Sequence, residues 1–282
     1  MRVLGVALLA AAMAWGGGSG ALDRAEALYN QTDYEGSLRL LQSTEKSPAV
    51  HHLIGKNYYM LADFKKATDY LDKAVAAEPG NSVYVLWLGR AYGRRAETST
   101  LFTAPGHASR ARQCFEKAVQ LDPTNAEAMN DLFEYYLEAP GIMGGGLDKA
   151  AAMAERIAKL DPVEGHYAQA KLAEKRKEFS SAEQQLRRAA EMAPHHVGRM
   201  IDLAKFLAKQ GRFQESEQSF EEAEKIEPDS AKLMYARADT YIRSGRNLDT
   251  AKKLLQRYLD SKLTPDDPPR SEAMKLLKQV GG

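Results

Sequence analysis

Five prolines, Pro79, Pro123, Pro162, Pro194 and Pro228, each close a phrase of one kind: AAEP, QLDP, KLDP, EMAP and KIEP. Upstream of four of them runs a small–bulky–small pattern at helical spacing. It reads Ala67, Leu71, Ala74; Ala111, Phe115, Ala118; Ala182, Leu186, Ala189; and Ser216, Phe220, Ala223. Pro162 follows a weaker version, Ala150, Ala154, Ile157. Proline stops a helix because it lacks an N–H and forces the residue before it out of the helical region. The polar residues around it, as in Asp122-Pro123-Thr124-Asn125, favour the start of another helix. A phrase that returns every few tens of residues is the mark of a chain that stacks one helical unit on the next.

A second signature precedes each phrase. Ile54-Gly55 with Tyr58, and Leu88-Gly89 with Tyr92, place a small residue three before an aromatic; Leu203-Ala204 with Leu207, and Ala238 with Tyr241, are looser copies. Together the two signatures resemble the tetratricopeptide (TPR) repeat, L-G-x₂-Y, then A-x₃-F, then P, over about 34 residues. The resemblance implies an all-α fold, a right-handed α-solenoid of antiparallel helix hairpins. Helices approach to about 8–10 Å only where side chains are small, so Gly55 and Ala67 should face each other within one hairpin. Phe64 or Phe213 should fill the wedge at the turn, and Leu71 or Phe220 should pack on the next hairpin.

Six hairpins are recognisable from about Pro48 to Leu263, after a worn first unit over 22–47 in which Ser37 replaces the usual alanine. The solenoid is thus expected over 22–263, with a linker and capping helix over 264–282. In that last helix Ala273, Leu276 and Leu277 share one face. Residues 1–21 read as an export signal: Arg2, the apolar run Val3–Trp15, then Ser19-Gly20-Ala21 as small residues for a peptidase. The run is too short to cross a bilayer, which needs about 20 residues, so a periplasmic or secreted product with no membrane span is expected after cleavage. A retained anchor is the competing reading.

The chain carries 39 basic and 38 acidic side chains, and losing the signal with its single Arg2 leaves 38 of each. Such balance gives no reason to expect nucleic acid, where a basic stripe supplies most of the affinity. Cys114 is the single cysteine, which excludes an internal disulfide. No HExxH, CxxC or Ser–Gly elbow is present, and the neighbouring pairs His51-His52 and His195-His196 point about 100° apart on a helix. Gly141-x₄-Gly146 has the glycine spacing of a phosphate loop, but Leu147-Asp148 stand where Lys-Ser/Thr are required. A turn with positive φ accounts for those glycines better. Neither catalysis, nor a metal, nor a cofactor is expected.

Two departures from the repeat stand out. About ten extra residues fall in AETSTLFTAPGHASRA and about five in EAPGIMGGGLDKA, where Phe133 also takes the usual small position. Both lie between the two helices of their hairpins, on one edge of the solenoid, and insertions on one edge often build a binding surface. Phe102 and Met143 are the candidates for a lip there; the plainer alternative is that the helices are longer and the apolar residues pack together. In the resembled family ligands lie along the concave face of the first helices. Carrying those positions across gives Lys56; Arg90 and Arg94; Asn130, Glu134 and Glu138; Lys171 and Lys175; and Lys205 and Lys209. The family's carboxylate clamp is missing, since His52, Lys56, Val83 and Trp87 hold the corresponding positions. The expectation is an exported scaffold that binds a protein or peptide of mixed charge, the alternative being a carrier of a lipid or small apolar ligand.

Overall fold

The computed structural model describes residues 17–281, all of whose regular elements are helices. The expected export signal lies for the most part outside them, and α1 (Gly17–Asn30) begins before the expected cleavage point. It pairs with α2 (Tyr34–Gln42) as a first hairpin. Six more follow: α3 (Pro48–Met60) with α4 (Phe64–Ala77), α5 (Ser82–Thr98) with α6 (Ala104–Leu121), and α7 (Ala126–Glu138) with α8 (Leu147–Leu160). Then come α9 (Pro162–Lys175) with α10 (Phe179–Met192), α11 (Val197–Lys209) with α12 (Phe213–Ile226), and α13 (Ala231–Ser244) with α14 (Leu248–Asp260). The fold is the solenoid of helix hairpins that the repeat implies, and α15 (Arg270–Val280) packs on its last pair through the fully buried Ala273.

The repeat residues do what their size dictates. A Cβ placed on Gly55 would lie 2.5 Å from Leu71 Cγ and 3.3 Å from the Ala67 carbonyl oxygen. One on Gly89 would lie 2.8 Å from the Phe115 ring. Leu71 and Phe115 belong to one apolar cluster that runs unbroken from α4 to α9, and each such side chain contributes about 2 kcal/mol by leaving water. Phe133 is itself buried in that cluster. First helices are capped by side chains from the expected loops: Asn81 Oδ1 accepts from Tyr84 N at 3.2 Å, and Asn125 Oδ1 from Ala128 N at 3.0 Å. Most intra-hairpin turns place one residue in the left-handed region, at Thr32, Ala62, Lys177 and Gly211, and the last turn places two, Gly245 and Asn247. The third and fourth hairpins replace that turn with the insertions.

In the third hairpin the extra residues mostly lengthen helices: α5 has 17 residues and α6 has 18, against 13 and 14 in α3 and α4. A short link, 99–103, joins them. The insertion of the fourth hairpin forms a 3-10 turn, Gly141–Met143, followed by Gly144 at φ 86° and Gly146 at φ 152°. A Cβ on Gly145 between them would lie 1.9 Å from the Ala139 carbonyl oxygen. Backbone geometry and close approach, rather than phosphate, thus account for the run of glycines.

The linker between α14 and α15 is tightly held. Leu263 is buried, the Tyr258 hydroxyl donates to the Pro268 carbonyl, and the Arg270 guanidinium donates to the Ser261 carbonyl at 3.0 Å. The Asp267 carboxylate accepts from both the amide and the hydroxyl of Thr264 at 2.9 Å. This course brings the far end of the solenoid back to its beginning, where Pro265 and Asp266 share a cavity with Tyr29 and Asn30 of the first hairpin.

Candidate binding groove

A cavity of about 520 Å³ opens where the concave face meets the two insertions. Its walls are apolar, with Phe115, Tyr135, Ala111 and Met143, and its rim is charged, with Arg90, Arg94, Glu134 and Glu138. Met143 is fixed there by its backbone, whose carbonyl accepts from the Tyr135 hydroxyl at 2.7 Å. Beside it the loop tips project into solvent: Leu101 is 91% exposed, and Phe102 and Ile142 are each 96% exposed. The longer helices expected under the plainer alternative are present, but these apolar residues do not pack on one another.

Several of the concave charges named from the sequence pair with carboxylates or cations of a neighbouring hairpin. Arg90 pairs with Glu127 at 2.9 Å and Asp131 at 2.5 Å. Lys175 reaches Glu138 at 2.6 Å, Lys209 reaches Glu174 at 2.7 Å, and Asn130 Nδ2 lies 3.4 Å from Glu164 Oε1. Arg94 pairs within its own helix with Glu97 at 2.5 Å and lies over the Phe64 ring. Glu134 forms no ion pair among the described residues. Burial raises its pKa above the usual carboxylate range, with Lys171 opposing and Glu138 reinforcing the shift. Lys171 and Lys205 line a small cleft with Tyr167 and Asp202.

Sequence reading missed the strongest of these contacts. Arg199 lies between Glu164 at 2.6 Å and Asp202 at 3.1 Å, over the Tyr167 ring at 4.8 Å, with only 12% of its side chain exposed. Burial raises the Asp202 carboxyl, while Arg199 holds it down. A signal existed. Partners across hairpins are separated by 34 to 41 residues, close to one repeat period, so the carboxylate that meets a groove cation is found one repeat away.

The groove of the first three hairpins is built differently. Lys56 Nζ stands 4.4 Å from the Tyr29 ring centroid and 4.9 Å from that of Trp87, with no carboxylate in ion-pair reach among the described residues. Burial lowers its pKa, with Glu26 and Glu127 opposing. Arg90 lies over the same Trp87 ring at 5.0 Å, and Tyr59 meets Trp87 edge-on. His52 lies tilted against Tyr84 with ring centroids 4.6 Å apart, and its Nε2 is buried with no partner. Burial first, and then Lys56, push the His52 pKa down to about 3. Tyr29, His52, Lys56, Tyr59, Trp87 and Arg90, with Pro265 and Asp266, line a cavity of about 470 Å³.

Nothing in these sites gathers reactive groups. Among the described residues no three His, Cys, Asp or Glu side chains converge as a metal site, and no helix is long and apolar enough to cross a membrane. Burial pushes the Cys114 thiol up to about 12, away from the reactive thiolate.

Two family models described as tetratricopeptide repeat match residues 144–197 and 207–270. Among solved structures, a thermophilic TPR protein of Thermus thermophilus is 20% identical, with a TM-score of 0.56 over 67% of this chain and 98% of that one. A tetratricopeptide repeat protein from Parabacteroides merdae is 12% identical, with a TM-score of 0.60 over 94% of this chain and 98% of that one. At these identities the likeness is one of fold. No curated protein matches the chain. The chain carries tetratricopeptide repeats, and it displays them as a solenoid.

Proposed function

We propose that the chain is an exported, non-catalytic scaffold that binds a protein partner through its concave groove and the loop edge of hairpins three and four. The observation that carries this reading is the cavity of about 520 Å³ in which the groove and the edge meet. Apolar walls inside a charged rim suit a peptide side chain anchored in a pocket, with polar contacts fixing its register. Exposed Leu101, Phe102 and Ile142 beside the pocket add apolar contact area of a kind that folding itself does not use. Export rests on the N-terminal pattern of Arg2, the apolar run and the small residues after it. Closure of the solenoid's open end by α15 fits the same plan, since terminal units need a polar outer face.

The test is crosslinking in the native compartment, followed by mass spectrometry, with Phe102→Asp and Met143→Asp chains alongside. Loss of a crosslinked partner with unchanged melting is the expected result. A large drop in melting temperature would make these residues part of the core and sink the reading. The alternative, a carrier of a lipid or small apolar ligand, draws on the apolar walls of the same cavity. Stoichiometric lipid recovered from the purified chain would decide for it.

A further inference from the structure

The cavity between the first three hairpins and the linker has features that the ladder of paired groove charges does not explain. Lys56 is a half-buried cation held between two aromatic rings, and it is left without a carboxylate, whereas Arg90 beside it has two. A cation kept partly out of water, with ring faces in contact and carboxylates only beyond ion-pair reach, is incompletely compensated, because ring faces replace lost hydration only in part. Asp266, exposed on the linker, is another lining residue of this cavity, and its carboxylate makes no hydrogen bond or ion pair among the described residues. Its neighbour Asp267 is taken up by Thr264, so the turn presents one acid and keeps the other. The sequence around it, Thr264-Pro265-Asp266-Asp267-Pro268-Pro269, is short, acidic and rich in proline, the composition of an extended segment.

We propose that this cavity seats an acidic extended segment of a partner protein, with a carboxylate against Lys56 and an apolar or proline residue against the lining formed by Tyr59, Met60 and Leu86. The chain's own linker, part of the same lining, is the segment's internal competitor. The inference rests on the groove being a seat for protein segments, and it names the chemistry of the one that enters at this end. Charge complementarity selects the occupant: the single uncompensated cation in this part of the groove calls for a carboxylate, and the linker already offers one from the lining. A tethered competitor acts at an effective concentration in the millimolar range, so an incoming segment binds weakly until the linker's charge is removed or outbid by several acids at once.

The probe is a fluorescein-labelled, end-blocked peptide of the linker sequence LTPDDPP, titrated into the full chain and followed by anisotropy. The Asp266→Asn chain should bind it about tenfold tighter than the unaltered chain, and Lys56→Met should abolish binding in both backgrounds while leaving melting unchanged. The LTPNNPP peptide should not bind. Equal affinity for the unaltered and Asp266→Asn chains, or binding that survives Lys56→Met, overturns the proposal. So does a concentration-dependent dimer that is lost with Asp266→Asn, which would put a second copy's linker in the cavity. A native partner that is retained by Lys56→Met but lost with Phe102→Asp would overturn it as well, and would leave the wider reading of the groove intact.

Discussion

The same helix positions build the concave face at both ends of the solenoid, with opposite results. From the fourth to the sixth hairpin three groove cations find a carboxylate on the neighbouring hairpin, Lys175 with Glu138, Arg199 with Glu164 and Lys209 with Glu174, while Lys171 and Lys205 line a cleft without an ion pair among the described residues. These pairs tie successive units together in a structure where each unit touches only its neighbours. In the first three hairpins the face is aromatic, with Tyr29, Tyr59 and Trp87, and its central cation, Lys56, is unpaired. Where charges are matched internally, a ligand must break one contact to make another. Where a cation is held among rings and left unmatched, a ligand's charge adds a contact and breaks none. The difference separates groove charges that hold the solenoid together from those available to a partner.

The largest effect should come from breaking a pair in the matched part. Arg199→Ala leaves Glu164 and Asp202 facing each other with only 20% and 25% of their side chains exposed, and Asp202 already raised by burial. A destabilisation of about 2–3 kcal/mol is expected in urea unfolding at pH 7, near the lower end for stranding a buried charge. The loss should shrink as pH falls through the Asp202 pKa, because protonation removes the stranded charge. A loss below about 0.5 kcal/mol, as for a solvated surface pair, would erase the contrast between the two parts.

How much of this contrast could be read beforehand follows from where its causes lie. Gly55, Leu71, Phe115 and the recurring prolines act within one hairpin or on the next, through size and backbone alone, so the repeat revealed both fold and packing. The groove positions Lys56, Arg90 and Lys175 were legible too, because a repeat fixes which side chains face inward. Their partners were harder to see. Whether a cation is matched depends on a residue 34 to 41 positions away and on insertions that shift that spacing. The return of Asp266 to the first hairpin depends on the summed rotations of seven units, which no local pattern encodes. The third hairpin's extra residues are mostly helix, as the plainer alternative had it, since Ala, Arg and Glu continue α5 to Thr98, and Pro105, tolerated in a first turn, lies at the start of α6.

A smaller effect separates the two parts by pH. His52 lies in the unmatched region beside Lys56 and Tyr84, with a folded pKa of about 3 against 6.5 for the free side chain. A depressed pKa contributes stability that is present above the unfolded value and lost as pH falls towards the folded one. Between pH 7 and pH 5 this group should remove about 1–2 kcal/mol, given a limiting slope of about 1.4 kcal/mol per pH unit below 6.5. His52→Phe keeps an aromatic ring against Tyr84 and takes away the titration. Its unfolding free energy should therefore fall less over that interval than the unaltered chain's. Parallel pH profiles for the two chains would show that the ring titrates freely in the folded state. Smaller again, the exposed pair Lys175–Glu138 should show a coupling of about 0.5 kcal/mol or less in a double-mutant cycle, weakening with salt.

The smallest stability change should come from Lys56, the residue proposed to meet the acidic segment. Lys56→Met removes a cation that burial disfavours and keeps a long apolar stem between Tyr29 and Trp87. The cation–ring attraction that is lost and the desolvation that is relieved oppose each other. Unfolding free energies in urea at pH 7 should therefore agree to within about 0.5 kcal/mol of the unaltered chain. Arg199→Ala differs in kind, because there the partners are left behind without compensation. A destabilisation as large for Lys56→Met as for Arg199→Ala would mean that the lysine holds the first three hairpins together as the paired charges hold the later ones, and the two halves of the groove would then follow one rule. A stability that stays put while acidic-peptide binding disappears is the outcome that keeps them apart.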